Sequence, residues 1–423
     1  MRILIYSYNY HPEPIGIAPL MTELAEGLVK RGHEVRVVTA MPNYPERQIY
    51  KEYRGKWYVN EYKNGVKIQR SYVWIRPEPN LIDRLLLDAS FVITSFLPAL
   101  IGFSPDVILS TAPSLPVCIP TTVLALLHNC PVVLNLQDIL PDAAVHVGLL
   151  KNKFVIRLFS ALEKFAYYTA TKISVIADGF VENLLAKGVN PDKIVQIPNW
   201  VDVNFIRHEA KENNAFRATH NLDGKFVVSY SGNIALTQGL ETVIKAAALL
   251  RDTPDIVFMI VGEASCLQRL QQECQEYGAD NVLLLPFQPR EKLPVMLAAA
   301  DVGLVVQKKN VISFNMPSKI QVLLASGRAI VASVPDNGTA ARAIKQSGGG
   351  VVVPPEDAQA LADSILELYK QPEKVKTLGY NSRKFAVEQY SFEQALNHYE
   401  SLFCSITADN PVPSSAVVSK QQV

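Results

Sequence analysis

"YNYHPEPIGIAPLMTELAEGLVKRGHEVRVVTAMPNYP" (Tyr8–Pro45) decides the fold. It follows the apolar run "RILIYS", Arg2–Ser7. Together they read as a strand, a loop, a helix from about Ile17 to Lys30 and a second strand, "EVRVVT". The loop ends where the helix begins. Backbone N–H groups are unpaired there, and the helix dipole favours an anion. Gly16 permits close approach of a phosphate. The same residues also fit a plain strand-to-helix turn. Gly32 closes the helix, and His33 reads as structural.

The rhythm continues outward. "DVILS" (Asp106–Ser110), the apolar stretch "PVCIPTTVLALLH", "VVLNL" (Val132–Leu136), a helix over 151–170 and "KISVIA" follow in turn. Continuous apolar strands between helices indicate a parallel sheet covered on both faces. "IPNWVDVNF" (Ile197–Phe205) interrupts the alternation, which restarts at "FVVSYSG" (Phe226–Gly232). After it come a helix from about Gly239, "IVFMIVG", a helix over 267–277, "NVLLLPF", a helix over 290–300, "DVGLVV", a helix after Pro317, and "AIVASV". The fold class is therefore α/β, with two Rossmann-like, doubly wound, parallel-sheet domains in tandem and a cleft where their carboxyl ends face. The expected divisions are 1–198, 199–390, a final helix over 391–404 and a disordered tail over 405–423.

A chain of 423 residues, 48% hydrophobic, suits two cores better than one. A net charge of +1 gives no reason to expect nucleic acid as a partner. The 5 cysteines show no CxxC spacing and read as buried thiols in a reducing compartment, so the expected location is cytoplasmic. No secretory leader opens the chain. "LLLDASFVITSFLPALIGF" (Leu85–Phe103) is nearly long enough to span a bilayer. Asp88 and Pro98 count against a span and favour a buried or interfacial helix.

Three more loops are suited to chemistry. "SYSGNIALTQGLE" joins a strand to a helix, with Gly232 and Gly239 freeing the backbone. A diphosphate would lie against Gly232 and Asn233, although a glycine-bearing connection reads the same way. "NMPSKIQVLLASGRAIVAS" puts Pro317 in a first helical turn. Ser318 and Lys319 then stand where hydroxyl, ammonium and backbone N–H converge on phosphate oxygens. In "NLQDILPDAAVHVG", Gln137 and Asp138 follow a buried strand. A carboxylate there can take a hydroxyl proton or simply cap a helix. Asp142 and His146 come shortly after.

These segments, with "QDILP", "IPNWVD", "IVGEA" and "MPSKIQVLLASGRAIVAS", resemble the retaining nucleotide-sugar glycosyltransferases of family 4, which have the GT-B fold. The resemblance covers residues 1–403 and is nearest to the branch building capsule, O-antigen and colanic acid, often from fucosyl-type donors. It implies that Gly16, Gly232 and Asn233 approach the donor diphosphate and that Ser318 and Lys319 bind it. It implies that Glu263 sits near the nucleoside, that Phe287 and Gln288 line the base, and that Asn199 marks the domain crossover. Catalytic roles would fall to Asp138 and Lys319. Gln137, Asp142 and Asn199 would face the acceptor or the cleft.

The chain departs from the family pattern in several places. Asn233 and Thr237 or Gln238 stand where many members pair an arginine with a lysine. Phe314 and Val322 replace a pair of glutamates, Gln137 replaces a histidine, and Gly16–Ile17 replaces a double glycine. The implied reaction is transfer, with retention, of a sugar from a UDP- or GDP-sugar to a saccharide. No cofactor and no metal are expected, since no DxD motif stands out. The apolar segments Leu81–Phe103 and Leu115–Leu127 point to a lipid-linked acceptor and peripheral contact with the inner face of the membrane. The alternatives are a nucleotide-sugar epimerase of the same architecture and a non-catalytic nucleotide-sugar-binding partner of another transferase. A dinucleotide enzyme fits poorly: no GxGxxG follows the first strand, and Thr39 ends the second where an acid would stand.

Overall fold

The computed structural model describes residues 1–408 except 15, 113, 143–144, 146–149, 151 and 235. His146 and most of the expected tail, 409–423, lie outside the described residues. The chain divides into two units. The first comprises Met1–Ile176, Phe180–Ile197 and the described part of Leu396–Val423; the second comprises Ala177–Gly179 and Pro198–Ala395.

The first unit is built on eight strands: β1 (Arg2–Tyr6), β2 (Glu34–Ala40), β3 (Tyr58–Lys63), β4 (Val66–Ser71), β5 (Val107–Ala112), β6 (Val132–Leu136), β7 (Lys172–Val175) and β8 (Ile194–Gln196). Their order in the sheet is β3-β4-β2-β1-β5-β6-β7-β8. β5 and β6 are buried at every residue, as strands covered on both faces must be. The sequence reading did not foresee β3 and β4, which pair antiparallel at the edge. Asn64 (φ 48°) and Gly65 (φ 83°) form their two-residue turn, and positive φ at both positions matches the twist of a hairpin.

Helices α1 (Ala18–Lys30), α2 (Leu81–Ala99), α3 (Cys118–His128), α4 (Lys153–Thr169) and α5 (Asp178–Ala186) connect or follow these strands. Asn80 and Asp83 form a reciprocal capping box that starts α2. Phe91 of α2 packs edge-on against Tyr6 and Tyr8, with ring centroids at 5.8 and 5.3 Å. Asp88, the charge inside the apolar run, accepts a hydrogen bond from Ser114 Oγ at 2.8 Å. Among the described residues no helix is long and apolar enough to cross a membrane.

The second unit carries β9 (Phe226–Ser231), β10 (Ile256–Gly262), β11 (Val282–Pro286), β12 (Val302–Val306), β13 (Ala329–Ser333) and β14 (Gly350–Val353), in the order β11-β10-β9-β12-β13-β14. Every neighbouring pair is parallel. Its helices are α6 (Ala215–Thr219), α7 (Leu240–Leu249), α8 (Ala264–Tyr277), α9 (Leu293–Ala298), α10 (Lys319–Ala325), α11 (Thr339–Ser347), α12 (Ala358–Lys370) and α13 (Pro372–Gln389). The sequence reading placed no element between "AIVASV" and the last helix, yet α11, β14, α12 and α13 lie there. β14 is only four residues long and follows a glycine run, so it lacked the apolar length that marked the other strands.

The final helix, α14 (Phe392–Ala408), runs past the expected end at 404. From Leu396 on it belongs to the first unit. There Glu400 pairs with Arg31 and with His33 Nε2 (2.9 Å), and Asn135 donates to the buried Tyr399 hydroxyl at 2.9 Å.

Candidate functional site

In the second unit the carboxyl ends of β9, β10, β11 and β12 lie along one edge of the parallel sheet, where ligands of open α/β sheets bind. β9 ends at Ser231, and the Gly232 N–H donates to Val261 O at 3.1 Å. Gly232 has φ +138°, and a Cβ there would lie 3.3 Å from Lys319 Nζ and 3.4 Å from its Cε. A side chain would crowd the lysine as well as strain the backbone.

Lys319 is the first residue of α10, reached from β12 through a braced segment. Gln307 Nε2 donates to Asn315 Oδ1 at 2.8 Å, and Lys308 N–H donates to Thr237 O at 2.9 Å. The second bond ties this segment to the loop after β9. The Lys319 ammonium then lies over the ring of Tyr230, 3.6 Å from its centroid. Tyr230 is fully buried, and its hydroxyl donates to Asn233 O at 2.7 Å. One tyrosine therefore supports both the lysine and the glycine loop. Lys319 Nζ is buried and has no hydrogen-bond partner among the described residues. Burial lowers its pKa to about 7. An ammonium with three unused donors beside a glycine loop is suited to an anion.

β10 ends at Gly262, where an added Cβ would fall 2.2 Å from Ile234 Cδ1. The missing side chain lets Ile234, and with it the Gly232–Asn233 loop, pack against the strand end. Glu263 follows, exposed, at the N-cap of α8. Phe287, 51% exposed, and Gln288 follow β11, and Gln288 Nε2 donates to Pro286 O at 2.9 Å. Ser318 is the exposed N-cap of α10, and its hydroxyl makes no cap bond. Phe314 is buried and Val322 half-buried, so neither position offers a polar group.

The structure thus brings Gly232, Asn233 and Lys319 together and sets Glu263, Phe287, Gln288 and Ser318 at strand or helix ends of the same unit. Gly16, Gln137, Asp138 and Asp142 belong to the first unit. Gly16 has φ +71° with nothing within 4 Å of a would-be Cβ, so the backbone, not packing, calls for glycine. Gln137 Nε2 donates to Asn135 Oδ1 at 2.9 Å. Asp138 is half-buried and accepts from Ile139 N–H at 2.9 Å; burial raises its pKa. Asp142 is held by Lys187 at 2.9 Å and Asn183 at 3.2 Å. Asn199 is half-buried in the connection after β8.

Sequence reasoning missed Tyr230, Ile234 and Gly262. Tyr230 stood inside a strand read only as core. It also missed a cavity of the first unit lined by Arg47, Arg84 and Asp88. The signal there was Asp88, the lone charge of the apolar run Leu85–Phe103, taken only as evidence against a membrane span. Among the described residues no group of three or more His, Cys, Asp or Glu side chains could hold a metal ion.

Comparison with known proteins agrees with this geometry. The family described as "Glycosyl transferases group 1" matches residues 212–385, and that described as "Glycosyl transferase 4-like domain" matches residues 16–200. WcaI of Escherichia coli (strain K12), named as a candidate colanic acid biosynthesis glycosyl transferase, is 34% identical over 94% of this chain and 98% of its own length. Sucrose-phosphate synthase from Thermosynechococcus elongatus superposes with a TM-score of 0.72 at 19% identity, over 96% of this chain and 99% of its own. Anabaena Alr3699/HepE, solved with UDP and glucose, gives 0.68 at 17% identity, over 96% and 100%. At these identities the two structures establish likeness of fold.

Proposed function

The chain belongs to the group 1 glycosyl transferases, and from that premise we propose that it moves a hexosyl-type sugar from a nucleoside diphosphate sugar to a saccharide in bacterial cell-surface polysaccharide assembly, with retention at the anomeric carbon. One observation carries the donor assignment: the buried Lys319 ammonium without a protein partner, beside the Gly232 loop. When the bond to the sugar breaks, the leaving diphosphate gains negative charge. A fixed ammonium and backbone N–H groups aimed at it lower the barrier most where water is excluded. In this reading Ser318 adds a hydroxyl to the diphosphate, Glu263 meets the nucleoside, and Phe287 and Gln288 line the base. Asp138, whose raised pKa suits proton transfer, orients the acceptor hydroxyl or takes up its proton. The WcaI similarity supports the polysaccharide context, and the UDP bound to HepE supports a nucleoside diphosphate donor.

A lipid-linked acceptor and peripheral contact with the cytoplasmic face of the inner membrane belong to the same proposal. Ile82, Leu86, Ile93 and Leu97 of α2 are exposed large apolar side chains. On α4, exposed Phe154, Leu158 and Tyr168 stand among exposed Lys153, Arg157 and Lys164. Apolar and basic side chains together suit an anionic lipid surface. Flotation with anionic vesicles tests this part; protein that stays entirely unbound contradicts it.

The test of the main reading is a thermal-shift screen of UDP-, GDP- and dTDP-sugars, followed by turnover with lipid-linked saccharide and assignment of the product's anomeric configuration. Stabilisation by one donor family and acceptor-dependent transfer are expected. Sugar interconversion without acceptor would replace this reading with an epimerase; binding without turnover would replace it with a non-catalytic partner.

A further inference from the structure

The first unit holds two adjoining cavities, of about 380 and 210 Å³, which share Tyr8, Asn9, Arg47, Arg84 and Leu87 in their linings. Arg47 and Arg84 are exposed toward solvent, and neither side chain makes a hydrogen bond or ion pair with the described residues. A third guanidinium, Arg76, lines the smaller cavity and stacks on Trp74 at 4.8 Å. Two carboxylates lie among these groups. Asp83 is already engaged, accepting from Asn80 N–H at 3.3 Å and from Trp74 Nε1 at 3.2 Å. Asp88 lies deeper, in the larger cavity with Ser114 and Thr111, and accepts from Ser114 Oγ.

Like charges around one space repel unless an anion joins them, and a guanidinium fork matches the planar oxygens of carboxylate and phosphate. Arg47 also sits in the left-handed region, at φ 54°, which an arginine rarely adopts. Backbone strain of this kind collects at ligand sites. Away from the arginines the larger cavity differs in chemistry: the Asp88 carboxylate and the Thr111 and Ser114 hydroxyls line it and not the smaller one, and such polar groups fix the orientation of a ligand rich in hydroxyls.

We propose that this cavity binds an acceptor saccharide bearing an anionic group, with Arg47 and Arg84 on the anion and Asp88 on a sugar hydroxyl. The proposal rests on the transferase reading for the word acceptor, and on this cavity alone for the ligand chemistry. Burial, which pushes the Asp88 carboxyl up to about 6, gives it the basicity to accept strongly from a hydroxyl. The anion is a phosphate ester or a carboxylate, and the probes separate the two.

The full chain is titrated by calorimetry with glucose 6-phosphate, glucuronate and glucose, as wild type, Lys319→Ala and Arg47→Ala/Arg84→Ala. UDP is titrated into each in parallel. At least one anionic sugar is expected to bind tenfold or more tighter than glucose, in wild type and Lys319→Ala alike. The double arginine variant is expected to lose this preference while keeping the wild-type melting temperature and UDP affinity; both side chains are exposed and unpaired, so its fold should hold. Preference for glucose 6-phosphate assigns a phosphate, and preference for glucuronate a carboxylate. No preference for either anion, a preference that survives the double substitution, or one lost in Lys319→Ala overturns the proposal. Loss of UDP binding by the wild type would instead count against the donor reading and leave the anionic-sugar titrations readable by themselves.

Discussion

The Lys319 ammonium lies 3.6 Å from the centroid of the Tyr230 ring, and the hydroxyl of that ring holds Asn233 O. The aromatic face supplies what attraction the buried cation receives from the described residues, and such a desolvated contact is worth on the order of 2 kcal/mol. That falls well short of replacing the hydration a buried ammonium gives up. The lysine is therefore held at a disadvantage that an incoming anion would relieve.

Lys319→Met should stabilise the ligand-free protein in a pH-dependent way. Lys319 has a folded-state pKa near 7, below its ordinary 10.5. Between those values the unfolded chain binds more protons at this site, so stability rises with pH across that window. The full penalty is present below about pH 7. The variant should melt above wild type at pH 6, and the difference should shrink toward pH 10. Melting curves at intervals of one pH unit check this; a constant offset would mean the ammonium is not buried at a cost.

Gly262→Ala should weaken nucleotide binding without unfolding the second unit. The new methyl clashes with Ile234, a side chain that can shift, and lies in ordinary contact 3.4 Å from Gly232 O, but Ile234 supports the Gly232–Asn233 loop. Displacing that loop should reduce UDP affinity about tenfold, a difference of roughly 1.4 kcal/mol. Titration of UDP beside a melting curve separates loop displacement from unfolding.

Glu13 should prove structural. It is 4% exposed and accepts from Asn43 N–H (2.8 Å), Tyr44 N–H (2.9 Å) and Asn9 Nδ2 (2.7 Å). Glu13→Ala leaves those donors without their acceptor and should cost roughly 3 kcal/mol. Urea denaturation measures it. A loss below about 0.5 kcal/mol would mean that water replaces the carboxylate, as it does at the surface.

Much of this was legible in the residues. Apolar strands such as "VVLNL" and "IVFMIVG" gave themselves away because a strand covered on both faces has no polar side. The β3–β4 hairpin did not, because its strands mix tyrosines with charges and only Asn64–Gly65 marks the turn. Gly232 and Lys319 could be singled out because both stand at element ends, where backbone groups are unpaired. Tyr230 could not, since a tyrosine inside an apolar strand looks like core until Lys319, 89 positions later, is seen above it. Arg84 and Asp88 stand one turn apart on α2, but Arg47 comes from the segment after β2, and only the packing of α2 against the sheet brings the two places together.

The most direct test of the central claim is calorimetric titration of UDP and GDP at pH 8, in buffers of differing ionisation enthalpy, with wild type and Lys319→Met. An anion that meets the Lys319 amine must reprotonate it. Wild type should take up a substantial fraction of one proton per nucleotide, and the variant should take up none and bind at least tenfold more weakly. Equal proton uptake and equal affinity in the two proteins would contradict the account.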